Sequence, residues 1–315
     1  VEQKSIITLT MNPAVDISTS VGKVETNTKL RCDPPARHPG GGGINVSRAV
    51  RKLGGFSLAL FLLGGKSGEF IADFLQDEGV KISPQKIGGD VRENITVYEE
   101  TTGEQYRFGM PGPALREMEW KDILSRLESE CREAEYLIAS GSLPLNVPVD
   151  FYARAARIAR ETKTSFVLDT SGQALEAAAR ERIFLIKPNR RELGHITGDK
   201  KAHERNPEGL KDLALEIVNT KEIESLVVSL GREGAMLVTG EGVSVISAPE
   251  VEIRSKIGAG DSMTAGMVLS LARGDGLEKA FRYGVAAGSA AVMTPGTELC
   301  RRRDADRLFE EMLEK

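Results

Sequence analysis

Short apolar runs that alternate with amphipathic ones constrain this chain more than any other feature. Residues 5–10 read as a buried strand, 44–53 as a helix stopped by Gly54-Gly55, 56–63 as a second strand and 69–78 as a second helix. The rhythm resumes with strand-like 135–139, helical 149–162, and strand-like 165–169 and 184–186. A helical pattern over 207–219 precedes strands at 225–230 and 234–239. Helices at 261–273 and 277–292 follow, ahead of a helix-like tail. Strands separated by helices cannot pair as hairpins, so the chain predicts an α/β fold with a largely parallel sheet covered on both faces.

Two stretches break the rhythm, residues 16–36 and 93–110. In the second, 94–100 and 104–110 flank Thr101-Thr102-Gly103, the pattern of a hairpin. Extended pieces inserted in an α/β chain can pair as a small separate sheet that covers a site as a lid. Its edges and apolar face would invite a second copy of the chain.

Composition narrows the partners. The 42 basic residues against 46 acidic ones give a net charge of −4, and there is no long basic run, so nucleic acid and anionic membranes are not expected. Arg301-Arg302-Arg303 reads as a solvated face. Cys32, Cys131 and Cys300 are too few and too scattered for a disulfide framework or a zinc pattern, which fits a reducing cytoplasm. His38, His195 and His203 lack metal-ligand spacing, no apolar stretch suits a bilayer, and no leader pattern is expected at the N-terminus.

Two nucleotide fingerprints fail. Gly65-Lys66-Ser67 would end a P-loop, but its first glycine should fall on Leu60, inside a strand. The G-x-G-x-x-G pattern ends on Val46 if counted from Gly41 and on Met263 if counted from Gly258, which disfavours a nicotinamide enzyme.

Other runs carry chemistry. Gly258-Ala259-Gly260-Asp261-Ser262 stands before an apolar helix, where glycines and a helix N-terminus make an anion hole suited to a phosphoryl group. Asp261 is either a helix cap or a base that accepts the proton of an attacking hydroxyl. The run Pro39-Gly40-Gly41-Gly42-Gly43-Ile44-Asn45 opens a helix. Its four glycines read as leaving backbone N–H groups and open space for a polar substrate rather than as packing, with a flexible loop as the alternative. Asn45 offers both donor and acceptor to sugar hydroxyls. Lys187-Pro188-Asn189-Arg190-Arg191-Glu192 follows a strand, where ligands of open α/β sheets bind. Lys187, Asn189 and Glu192 read as holding phosphate, water or Mg²⁺, or else the run is a plain β–α loop. Ser229-Leu230-Gly231 also ends a strand and is open to the same two readings.

These runs, in this order, resemble the PfkB-type carbohydrate kinases of the ribokinase superfamily over about residues 5–313. The resemblance implies a single kinase domain spanning 1–315, doubly wound and mostly parallel, with a small β-sheet lid at residues 16–36 and 93–110 and a homodimer formed through it. Lys29 to Cys32, Pro39 to Asn45, Gly103 to Phe108, Met110-Pro111-Gly112, Ser140 to Pro144 and Gly284 to Ala291 match best the members that phosphorylate fructose 6-phosphate with ATP. Asn12-Pro13-Ala14-Val15-Asp16 instead reads like the opening of the 1-phosphofructokinases. These and the tagatose-6-phosphate kinases remain alternatives, as does a sugar-binding sensor on the same fold.

By the same resemblance Asp261 is the base, and Gly258, Ala259 and Gly260 line the anion hole. Asp16, Gly41, Gly42 and Asn45 hold sugar hydroxyls. Arg92 and Ser142 take the phosphate end, helped by Lys29, Arg31 and Arg107 from the lid. Lys187, Asn189, Ser229, Gly231 and Ser289 line the ATP site, and Glu192 acts on Mg²⁺ through water. A possible K⁺ site falls on carbonyls near Ser255, Ile257, Ala291 and Gly296, with Thr294 where the pattern expects asparagine.

Overall fold

A computed structural model describes residues 2–199 and 201–314. The chain opens with β1 (Ile6–Thr10), crosses to β2 (Ala14–Val21) and β3 (Ala36–Gly40), and enters α1 (Gly42–Lys52). Then come β4 (Leu58–Leu63), α2 (Gly65–Asp77), β5 (Lys81–Lys86), the hairpin β6 (Arg92–Glu99) and β7 (Gln105–Phe108), and α3 (Glu117–Cys131). Alternation continues through β8 (Tyr136–Ser140), α4 (Phe151–Thr162), β9 (Ser165–Asp169), α5 (Gly172–Ala178), β10 (Ile183–Ile186), α6 (Arg190–Thr197), α7 (Pro207–Thr220) and β11 (Ile223–Ser229). The hairpin β12 (Ala235–Thr239) and β13 (Gly242–Ile246) precedes α8 (Ala259–Ala272), α9 (Leu277–Val292) and α10 (Arg302–Leu313).

The large sheet has the order β13-β12-β11-β10-β9-β8-β1-β4-β5. It is parallel from β11 to β5, and the β12–β13 hairpin adds an antiparallel edge. Successive strand residues serve opposite faces. Ile7, Leu9, Leu137, Phe166 and Leu168 point into the core under α3, α4 and α5. Their neighbours Ile6, Ile138, Val167 and Leu185 point into the core under α1, α8 and α9. The expected doubly wound sheet is therefore present. Strand order reverses between β1 and β8, and the crevice beyond their carboxyl ends is the switch point where such sheets bind ligands.

The two anomalous stretches form a second sheet of order β3-β2-β6-β7. Tyr98 opposite Gln105 and Ile95 opposite Phe108 confirm the expected hairpin. Residues 22–35, inside the expected lid, form an exposed connection without strands.

β5 and α3 escaped the alternation because their patterns are weak, as did the short helices α5 and α6 and the edge strand β13. β5 is an edge strand, polar in sequence and holding Pro84, which an edge tolerates. α3 carries charges over most of its surface and buries little beyond Trp120, Ile123, Leu127 and Cys131. α2 begins at Gly65, earlier than its apolar periodicity suggests.

The glycine run corrects an expectation. A Cβ on Gly42 would overlap the Ser140 hydroxyl, and one on Gly40 would overlap the Asp16 carboxylate. A Cβ on Gly43 would lie 2.5 Å from the Leu9 carbonyl oxygen, and one on Gly41 would lie 2.7 Å from Thr10 Cγ2. Packing against β1, β2 and β8 does require these glycines. Their small size lets α1 settle onto the strand ends rather than leaving open space. Gly43→Ala should therefore destabilise the fold by about 1–3 kcal/mol, because the obstructing atom is backbone and cannot swing away. Urea unfolding of the variant beside the wild type measures this.

Candidate active site

Asp261 projects from the first turn of α8, but not as its cap. The cap position belongs to Gly258, whose φ of 75° only glycine adopts freely, and no side chain caps there. Asp261 is the third residue of the helix, and its Oδ2 accepts a hydrogen bond from Asn45 Nδ2 at 2.9 Å. The carboxylate is thus turned toward α1 across the crevice. The capping alternative fails, and the side chain is left free for chemistry.

Burial, reinforced by the nearby Asp169, pushes the Asp261 carboxyl up to about 6, with Asp16 adding to the rise. The Asn45 hydrogen bond and the Lys187 ammonium oppose this. A carboxylate so perturbed, in a crevice, has the character of a base at neutral pH.

Lys187 leaves β10 and is buried, with its Nζ 2.9 Å from Asp169 Oδ2. Burial works against its charge, but the attraction of Asp169, helped by Asp261 and Glu192, wins and raises its pKa. A Cβ on Gly260 would lie 3.2 Å from Nζ, so that glycine lets the ammonium approach the start of α8. Asp169 ends β9, and its role escaped sequence reading. The available signal was an acidic residue closing an otherwise buried strand.

The other end of the crevice is built by the lid. Burial raises the Asp16 pKa, while the Asn94 hydrogen bond at 2.9 Å, Arg92 and Arg107 hold it down. Arg92 starts β6 and donates to the Met110 and Asn12 carbonyl oxygens at 3.0 and 3.2 Å. Its burial lowers its own pKa, with Asp16 opposing. Ser142 lies beside it through Asn12, whose Nδ2 donates to Ser142 Oγ at 3.0 Å. Lys29 and Arg31 sit in the exposed 22–35 connection and make no ion pair among the described residues. Neither is hydrogen-bonded to the groups around Arg92 among the described residues.

Asn189 caps α6, accepting from the N–H groups of Arg191 and Glu192, and Glu192 accepts from the Asn189 N–H at 2.8 Å. The plain loop reading is thus satisfied, yet the second Glu192 oxygen and the Asn189 amide N–H₂ make no hydrogen bond among the described residues. Ser229 pairs with Asn189 across the strand ends, and Gly231 faces open space. Ser289 is buried on α9.

Residues 5–304 match the pattern of the pfkB family carbohydrate kinases. The chain belongs to that family. It is 44% identical to ATP-dependent 6-phosphofructokinase isozyme 2 of Mycobacterium tuberculosis (strain H37Rv), covering 97% of this chain and 89% of that protein. It is 39% identical to the Escherichia coli (strain K12) enzyme of the same name, covering 96% and 97%. Phosphofructokinase-2 from Escherichia coli superposes with a TM-score of 0.90 in complex with fructose-6-phosphate and 0.91 in complex with potassium. In both comparisons identity is 38%, and 98% of this chain and 99% of that one are covered.

A kinase of this family uses ATP and a divalent metal. Among the described residues no group of three or more acidic, histidine or cysteine side chains could hold a metal ion by itself. Mg²⁺ commonly keeps several waters and rests on substrate phosphate oxygens with one or two carboxylates. Glu192 fits that arrangement. Burial raises its pKa and Asp169 adds to the rise, so a cation nearby would be welcome. At the carbonyl cluster, Ser255 Oγ donates to Gly296 O at 2.9 Å, and the single Thr294 hydroxyl hydrogen is shared between Ala291 O and Leu299 O, 2.8 and 2.9 Å from Oγ1.

For this kinase the acid limb of kcat/KM should fall near pH 6, the value to which Asp261 is pushed. Asn45→Ala removes a bond to the charged form, so the limb should move to higher pH. The folded pKa exceeds the ordinary 3.8, so the folded state takes up the proton first and wild-type stability rises as pH falls through about 6. Asp261→Asn should therefore be more stable than wild type near neutral pH, and the difference should vanish in acid. Rate profiles and thermal unfolding across pH check both signs.

Proposed function

We propose that the protein transfers the γ-phosphoryl group of ATP to the 1-hydroxyl of fructose 6-phosphate, giving fructose 1,6-bisphosphate and ADP. The observation that carries this reading is the Asp261 carboxylate, free of capping duty, raised in pKa and turned into the crevice at the N-terminus of α8. The names of the Mycobacterium tuberculosis and Escherichia coli relatives supply the substrate.

Asp261 takes the hydroxyl proton while the sugar oxygen bonds to the γ-phosphorus and the bond to the β–γ bridging oxygen breaks. The N–H groups of Gly258, Ala259 and Gly260, with the helix N-terminus, bear on the charge of the phosphoryl group in transit. Asp16, Asn45 and the main chain at Gly41 and Gly42 hold the sugar hydroxyls. Arg92 and Ser142 hold its 6-phosphate, with Arg107, Lys29 and Arg31 approaching from the lid. Lys187, Asn189, Ser229, Gly231 and Ser289 line the nucleotide. Glu192 would hold a bound Mg²⁺ through water, and the ion would supply neutralisation of phosphate charge. K⁺ at the Ser255, Ile257, Ala291 and Gly296 carbonyls is the monovalent partner, and the potassium complex of the Escherichia coli relative supports it. A cytoplasmic setting accords with these substrates.

Two copies are expected to meet through the lid. Ile95 and Phe108 oppose each other in the β6–β7 register, and both are exposed, Phe108 by 52%. Tyr98 and Met110 add further exposed apolar surface. The Asn12–Asp16 run favours 1-phosphofructokinase as the second reading.

Product identification after incubation with MgATP and fructose 6-phosphate, beside fructose 1-phosphate and tagatose 6-phosphate and in KCl against NaCl, decides the substrate and the cation. Asp261→Asn should lower kcat by roughly 10²–10⁴-fold with little change in sugar binding. Near-normal turnover in that variant would sink the assignment. Phe108→Asp should convert the dimer to monomer in light scattering, and an unchanged mass would remove the lid from the interface.

A further inference from the structure

We propose that Asn12 is a positioning residue for the sugar's phosphate. It fixes Ser142 as a hydrogen-bond donor and anchors Arg92 beside it. The inference rests on the kinase reading above, but on a residue which that reading leaves without a task.

Asn12 is only 7% exposed, in the link between β1 and β2. Its side chain and main chain serve two different partners. Nδ2 donates to Ser142 Oγ at 3.0 Å, and the main-chain oxygen accepts from Arg92 at 3.2 Å. A serine hydroxyl has one hydrogen to donate. An amide N–H₂ beside it can only donate, so the Ser142 hydrogen must point elsewhere, and Ser142 is exposed on its other side. A phosphate dianion only accepts. The Asn12 amide thus sets the polarity of Ser142 to that of a phosphate ligand.

The cluster also holds two buried polar atoms, Asn12 Oδ1 and Arg92 Nε, that have no hydrogen-bond partner among the described residues. A Cβ on Gly112 would overlap Asn12 Oδ1, so the loop after Met110, whose carbonyl also receives Arg92 at 3.0 Å, is shaped around this amide. Asn12 therefore ties together the end of β1, the start of the lid hairpin and the loops at 110–113 and 140–144.

The test is a double-mutant cycle. Asn12→Ala should raise the KM for fructose 6-phosphate about tenfold, the size of one lost hydrogen bond to a charged group, and leave the KM for ATP unchanged. Because Asn12 acts through Ser142, Asn12→Ala/Ser142→Ala should be little worse than Ser142→Ala. Asn12→Asp keeps the shape but accepts the Ser142 hydrogen, so it should be worse than Asn12→Ala. A merely structural role predicts the reverse order, since the isosteric change would then be the milder one. Additive losses in the cycle, an Asp variant better than the Ala variant, or an unchanged KM for the sugar phosphate would each overturn the proposal. The cycle is run on whichever sugar phosphate the wild type turns over. Inactivity toward fructose 6-phosphate alone overturns the substrate reading, whereas additivity on an active substrate overturns only the role of Asn12.

Discussion

The site depends on how closely α1 approaches the strand ends at the switch point. Gly42 against Ser140 and Gly43 against the Leu9 carbonyl leave no room for a side chain, so the helix start rests directly on β1 and β8. That contact sets where Asn45 falls, one turn further along, and its amide meets Asp261 at 2.9 Å. The same helix carries Arg48, fully buried, which binds Glu78 through two nitrogens at 2.7 and 3.0 Å and the Pro39 carbonyl at 3.2 Å. The floor of the crevice, the base of the lid and the end of α2 are thereby held by one element. Lifting α1 by the width of a methyl group would disturb all three.

Electrostatics at this floor runs against stability. Asp16, Asp169 and Asp261 lie close enough for Asp261 to feel both others, and among the described residues the buried Lys187 ammonium is the one that offsets Asp169 and Asp261. Burial and these like charges raise the pKa of Asp261, and the cost falls on the folded state. Such an arrangement persists where a ligand or a reaction uses it. The glycines at 258 and 260 serve the same end. One supplies a left-handed turn at the start of α8 and the other admits Lys187 to that turn.

Much of the fold was legible because buried parallel strands and amphipathic helices leave a strong periodic trace. The lid was legible as a break in that trace. β5 and α3 were not, because an edge strand and a charged surface helix show little apolar pattern. In the site, Asp261, Asn45, Lys187 and Arg92 were legible from short motifs and from resemblance to a family. Asp169 and Asn12 were not, since each acts through a partner distant in sequence. Asp169 reaches Lys187, and Asn12 reaches Ser142 and Arg92. One physical reason was also misread, since the glycine run is close-packed rather than open. Of the two readings left open for Asp261, the cap falls away because the residue sits past the cap position.

The sequence by itself determined the alternation, the inserted segments of the small sheet and which short runs are candidates for chemistry, because these are local properties of neighbouring residues. Tertiary structure decided what those residues do to one another. Asp261 is raised by carboxylates from β2 and β9, lowered by an amide from α1 and an ammonium from β10, and none of these is near it in the chain. Charge and hydrogen bonding act through space over a few ångströms, and only the packed sheet and helices bring such groups that close.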